Sequence, residues 1–432
     1  MRKSVIRSER LNEEYLRLEH ESGLRILLYP MKGFRSAYAV FGTDYGSIDN
    51  EFKLEGESEF QKVPDGIAHY LEHKLFESED GDAFTLFART GADANAFTSF
   101  DKTCYVFSCT ENFAESFRSL LKFVQEPYFT PETVAKEQGI IGQEIRMYED
   151  HPGWRVMFNL LTALYVRNPI RTDIAGTVES IAQITDKLLY RCYNAFYNLS
   201  NMAVAVAGNF DPEEVEKIIE ESLKPSVPVK IERPVICEPP EAGQPEIVQR
   251  LDVSEPMFYF GYKLSPKAEP KEELRHQAVL NVLLDILTGP SSAFYEEMNR
   301  KGLLNASFGG EVFGGRGYLA ALFGGESKDP RAVYSAFCRM VEEKQETGLS
   351  EEDFLSCKNA LYGRTFREMN DVETMANALF AYEMMGVALF DMPEMIASVT
   401  LADVEQALRE EFSPEKRAIS IILPFESAPE QP

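Results

Sequence analysis

Two of the chain's five histidines, His69 and His73, stand four residues apart with Glu72 between them in the run HYLEH. On a helix, positions i and i+4 share one face. The two imidazoles would then converge as a nitrogen pair able to hold a divalent metal ion, with Glu72 beside it as a base. Chance would place this pattern in about one chain in a hundred of such composition. The bland alternative is a surface helix whose side chains merely hydrogen-bond. A catalytic zinc ion needs three protein ligands and an open position, so a carboxylate must come from another element. Glu137 and Glu144, in EQGIIGQEI, fall two turns apart on one helical face. One could bind metal while the other orients a ligand. Gly139 and Gly142 would let a neighbouring helix approach closely. In so acidic a chain, a solvated acidic face is the competing reading.

The elements that must carry these groups are legible in outline. Apolar Ile67, Leu71, Leu75 and Phe76 recur at helical spacing through GIAHYLEHKLFES, with Asp65 placed as N-cap after Pro64. Thr130-Pro131 opens a second helix running to about Glu149. Upstream, GLRILLYP and SAYAVFGTDYGS alternate apolar and polar residues and predict a hairpin. AFTLFARTG predicts a helix ending at Gly91, ANAFTSFDKTCYVFSCT a strand pair, and ENFAESFRSLLKFVQEP a helix. The second half predicts a strand at MFYFGYKL, helices over 273–287 and 291–302, glycine-punctuated strands through GGEVFGGRGYLAALFGG, and three or four helices to Glu411.

A chain of 432 residues is long enough for two domains. Six prolines between Pro225 and Pro245 mark a linker, since proline neither propagates a helix nor sits in a central strand. The expected division is 1–224, a linker over 225–246, and 247–432. Both halves end alike, in a short helix, an aromatic and an alternating strand, which points to duplication. Hairpins and helices without regular βαβ alternation predict an α+β class: two homologous α/β sandwich domains, each an antiparallel-rich sheet with helices packed on one face.

A net charge of −26 repels phosphate backbones and anionic lipid, so nucleic acid and membrane are not expected partners. No run approaches the uninterrupted apolar length of a membrane span, about 18 residues. The acidic N-terminal stretch does not resemble a transit peptide, and the expected location is cytoplasmic. Cys104, Cys109, Cys192, Cys237, Cys338 and Cys357 include no CxxC pair and are expected to be reduced. His151, in YEDHPGW, is expected to cap or lie on the surface. MANALFAYEMMGVALF, interrupted by Glu383, is expected to be a buried helix. The chain lacks the GxxxxGK[ST], GxGxxG and GxSxG motifs that would bring phosphate, dinucleotide or serine-hydrolase chemistry.

GIAHYLEHKLFE followed by EQGIIGQEIRMYEDHP resembles the pitrilysin and insulysin family of zinc peptidases, which includes mitochondrial processing peptidase. GTDYGSID, GADANAFTSFDKTCYVF and VRNPIRTDIAGTVESIAQIT extend the resemblance over most of residues 20 to 215, and more faintly into the second half, in the manner of short two-domain bacterial members. The resemblance implies one zinc ion per chain held by His69, His73 and Glu144, with Glu72 as general base and Glu137 as the supporting glutamate. It places Asn95, Ala96 and Phe97 on a substrate-binding strand, whose free edge would take an extended peptide.

The second half departs from the family. Active members carry an arginine and a tyrosine that hold the substrate backbone and the oxyanion. Here the matching stretch is EEMNRKGLLNASF, with Met298 and Asn305 at those positions. Arg316 and Tyr318, in GGRGY, are the local substitutes to consider. Loss of oxyanion donors removes several kcal/mol of transition-state stabilisation, so the resemblance implies a homologous partner subunit supplying Arg and Tyr in a clam-like heterodimer, or else a homodimer. The expected function is a zinc-dependent endopeptidase of short or unfolded peptides. The alternatives are a non-catalytic peptide-binding or assembly subunit and, from the ligand set alone, a metallo-oxidase.

Overall fold

The computed structural model describes residues 1–79 and 81–426. Mixed helices and open sheets build two compact units. Among the described residues, the first comprises Met1–Ile145, Asp173–Val235 and Thr365–Asp391; the second comprises Arg146–Thr172, Ile236–Arg364 and the chain from Met392 on. The boundary at Val235 and Ile236 falls in the proline-rich stretch. The units nevertheless draw on both halves of the chain, unlike the contiguous ranges 1–224 and 247–432 expected from the sequence.

In the first unit, seven strands lie in the order Arg2–Ser8, Glu13–Glu19, Arg25–Pro30, Met202–Gly208, Ala37–Thr43, Thr103–Cys109, Asp93–Thr98. The expected hairpin between Arg25–Pro30 and Ala37–Thr43 does not form. Met202–Gly208, MAVAVAG, buried at every residue, inserts between them, parallel to the first and antiparallel to the second. A continuously apolar strand is best placed at a sheet centre, where both faces are covered.

The second unit repeats this core. Its strands run Glu246–Leu251, Arg417–Pro424, Met257–Lys263, Tyr318–Glu326, Gly309–Gly315, again with one parallel pair followed by three antiparallel pairs. Five helices occupy the stretch from Pro330 to Glu411, one more than the upper expectation.

Helices layer on these sheets as the α+β class requires, and one helix also covers the opposite face of each. On the first sheet this is Val372–Met385, whose Met375, Ala376, Leu379 and Phe380 pack against Leu27, Val40, Val106 and Ala205. On the second it is Pro152–Leu164, whose Val156 packs with Leu251, Met257 and Ile422. The segment Pro270–Arg300 is long and apolar enough to cross a membrane by composition alone. In this fold, Leu274, Ala278, Leu280, Leu283 and Leu287 of its first helix are buried side chains of the second unit.

Candidate metal centre

The motif helix, Ile67–Leu75, begins at Gly66 rather than under an Asp65 cap. Asp65 Oδ1 instead accepts a hydrogen bond from Asn50 Nδ2 at 2.7 Å. Gly66 has φ +89°, and a Cβ there would lie 2.3 Å from the carbonyl oxygen of Ala175. Only glycine meets both the left-handed backbone and that close approach. The helix start is thereby locked against the loop that precedes Val178–Ile181, while Ser180 Oγ donates to the Asp65 carbonyl at 2.8 Å. Apolar Ile67, Leu71 and Leu75 are buried, which turns the polar stripe of the same helix toward the site.

The second helix, Pro131–Glu149, lies where expected. Tyr70, buried in the motif helix, donates its hydroxyl to the Val134 carbonyl and ties the two helices together. Gly139 and Gly142 do not serve a helix contact: a Cβ at either would meet nothing within 4 Å.

His69, His73 and Glu144 come together so that one ligand atom from each lies within 4.8 Å of the others. Both Nε2 atoms face the Glu144 carboxylate, His73 at 3.3 Å from Oε2 and His69 at 3.7 Å from Oε1. His73 Nδ1 meets Glu137 Oε1 at 3.0 Å. Glu137 therefore takes one ring nitrogen and leaves the other for the centre.

The electrostatics call for a cation. Burial opposes the charged form of His73, but its hydrogen bonds to Glu137 and Glu144, with the field of Glu72, outweigh that and push the imidazole up to about 10. Burial, aided by the charge on His73, pushes His69 down to about 4. The His73 ring is thus surrounded by the acidic side chains of Glu137, Glu144 and Glu72. Glu137 is held below the usual carboxylate range, chiefly by its bond to His73. Two imidazole nitrogens and one carboxylate, with a further carboxylate orienting a ligand, are the donor set of a catalytic zinc site, and these residues fit that ion.

Glu72 points from the same helix toward the sheet edge. Its Oε2 accepts a hydrogen bond from Thr98 Oγ1 at 2.7 Å. Burial raises its pKa, against the opposing pull of Thr98 and His73. Thr98 ends the strand Asp93–Thr98, one of the two edge strands of the seven, which pairs only with Thr103–Cys109 among the described residues. Asn95, Ala96 and Phe97 lie on this edge strand. Asn95 Oδ1 accepts from the Ala96 N–H at 2.9 Å, and Phe97 is exposed.

A family profile described as Insulinase (Peptidase family M16) matches residues 59–178. A chain named uncharacterized zinc protease YmfH, from Bacillus subtilis (strain 168), is 40% identical over 97% of this chain and 99% of its own length. The chain belongs to the M16 peptidase family. A second profile, Peptidase M16 inactive domain, matches residues 183–361. Among solved structures, a putative M16-like peptidase from Alicyclobacillus acidocaldarius aligns with TM-score 0.92 and 34% identity, covering 95% of this chain and 98% of that one. A protease from Helicobacter pylori shares the fold at TM-score 0.82 and 19% identity, covering 95% and 99%.

Within this M16 chain, Met298 is 3% exposed, in the core of the second unit. Asn305 accepts a hydrogen bond from the Ser307 N–H and donates to Glu326. Tyr318 is buried at 3% exposure and rests on Phe313, and Arg316 is half-buried. His151 caps the helix Pro152–Leu164, its Nδ1 accepting from the Trp154 N–H at 3.1 Å. All six cysteines are free thiols. Sequence reasoning missed Thr98, although its alternation with Ala94 and Ala96 marks the inward side of the strand.

Proposed function

We propose that this chain is a zinc-dependent endopeptidase of short or unfolded peptides, one zinc ion per chain, working as one half of a clam-like pair. The observation that carries the reading is the convergence of His69, His73 and Glu144 beside Glu72. A zinc ion held there would supply Lewis acidity, acidifying water toward neutral pKa and polarising a peptide carbonyl. Glu72 takes the proton of the attacking water and passes it to the departing amine. His73 is kept in one orientation by Glu137. The outer edge of Asp93–Thr98, through Asn95, Ala96 and Phe97, offers main-chain groups to an extended peptide, which suits substrates without fixed structure.

Core burial of Met298 and the local hydrogen bonds of Asn305 favour a homologous partner subunit that supplies the missing arginine and tyrosine. They equally motivate a second reading, a peptide-binding or assembly subunit. The free cysteines accord with a reducing compartment, the cytoplasm.

The test is metal content by mass spectrometry on wild type and His73→Ala, with cleavage of a quenched fluorescent peptide measured beside Glu72→Gln. One zinc per chain, lost with His73, together with cleavage lost with Glu72, supports the peptidase. Zinc without cleavage places the missing half of the site on a partner. Absence of bound metal returns the chain to the binding-subunit reading.

A further inference from the structure

We infer that Thr98 is a positioning residue for Glu72, its hydroxyl holding the carboxylate of the general base in the orientation the reaction needs. The inference rests on the peptidase reading above. A glutamate side chain has several rotatable bonds, and fixing it costs conformational entropy. Its direction must therefore be set by specific partners. Thr98 supplies one: Oγ1 donates to Oε2 at 2.7 Å.

Thr98 is itself tightly held. It is opposite Thr103 in the strand pair, and Thr103 Oγ1 is anchored on the Tyr45 carbonyl at 2.9 Å. The following turn is closed by Ser99 N–H to the Lys102 carbonyl at 2.8 Å, and the Ser99 carbonyl accepts from the Ser47 N–H at 3.1 Å. A β-branched side chain on such a strand has little freedom at χ1. The donor is rigid where the acceptor is flexible, so the strand sets the base and the base does not set the strand.

Thr98 is also the last residue of the edge strand proposed to receive substrate. A peptide added along Asp93–Thr98 is thereby registered against the carboxylate at the Thr98 end, and the docking edge and the proton-transfer group move as one body. Asn95, Ala96 and Phe97 serve binding in this scheme, whereas Thr98 serves orientation.

The test compares full-length wild type, Thr98→Val, which keeps the branched shape without the hydroxyl, and Thr98→Ser, which keeps the hydroxyl without the methyl. Zinc content and melting temperature are measured first, then kcat and KM on a quenched fluorescent peptide, then metal-free crystal structures of all three. The expected result is one zinc per chain throughout and a kcat about ten- to a hundredfold lower in Thr98→Val. KM should stay within about twofold, Thr98→Ser should recover most of kcat, and the Glu72 carboxylate should be turned away in the valine variant. A kcat unchanged in Thr98→Val, an equal fall in both variants, or a raised KM at constant kcat overturns the inference. If zinc-loaded wild type cleaves no peptide by itself, the missing half of the site lies on a partner and kcat cannot be read on this chain alone. The crystal structures then decide the positioning role alone: a displaced Glu72 in Thr98→Val upholds it, and an unmoved one overturns it.

Discussion

Glu137 and His73 face each other at 3.0 Å through Oε1 and Nδ1. This contact assigns the two nitrogens of the ring, because the Nε2 that remains lies 3.3 Å from Glu144. Glu137 would thus act on a bound metal only through the ligand it orients, and its carboxylate holds an imidazole rather than facing solvent.

Replacing Glu137 with glutamine keeps the shape and removes the charge. The orienting contact weakens, and the amide adds a donor where His73 Nδ1 needs an acceptor. Zinc affinity is expected to fall about ten- to a hundredfold, with the fold preserved. Competition with a chromogenic chelator measures this. An affinity equal to wild type would remove Glu137 from the metal centre.

Metal binding should release a proton. His73, opposed by burial but raised by its hydrogen bonds to Glu137 and Glu144 to about 10, is protonated in the free protein at neutral pH. His69, lowered by burial and by the charge on His73 to about 4, is already neutral. A ligand imidazole must be neutral, so acid competes with metal at His73 alone. The logarithm of apparent zinc affinity is expected to rise by about one per pH unit through the neutral range and to flatten only near pH 10. Calorimetry in buffers of different ionisation enthalpy counts the proton directly. A pH-independent affinity would show that His73 is not held as an imidazolium.

The start of the motif helix offers a separate probe of positioning. Alanine at Gly66 would place its Cβ 2.3 Å from the Ala175 carbonyl oxygen on a backbone with φ +89°. Backbone on both sides cannot yield cheaply, so a loss of about 1–3 kcal/mol is expected. Zinc content should fall together with melting temperature, because His69 lies within the first turn of that helix. A variant with unchanged melting temperature would mean that the loop around Ala175 moves freely and does not set the helix.

The metal motif was legible because its spacing is local: His69, Glu72 and His73 need only one helix to share a face. Glu144 and Glu137 were legible as a pair at two-turn spacing, and the family resemblance assigned their roles. What escaped was non-local. The pattern of Arg25–Pro30 and Ala37–Thr43 carries no sign that Met202–Gly208 will come between them, since alternation reports faces and not neighbours. The apolar run within Val372–Met385 shows that this helix is buried, yet not which sheet it covers. Thr98 shows an inward side by alternation, but its partner Glu72 lies on another element.

The partner proposal makes a prediction about Met298 that separates it from a simple local loss. At 3% exposure, Met298 belongs to a core cluster with Phe294, Phe308 and Phe337. Arginine there would bury an unpaired guanidinium, a penalty of several kcal/mol, rather than present it to a substrate. The double variant Met298→Arg with Asn305→Tyr is therefore expected to melt at lower temperature and to gain no cleavage of a fluorescent peptide. Addition of a homologous subunit carrying arginine and tyrosine in the corresponding stretch should instead raise cleavage by the wild-type chain. Transition-state contacts of this kind are worth several kcal/mol, or about a hundredfold and more in rate. Thermal denaturation and peptide turnover, measured on the double variant and on the mixed subunits, check both halves of the argument. A stable double variant that cleaves peptide unaided would sink the partner proposal, because the missing donors would then have been restored within one chain.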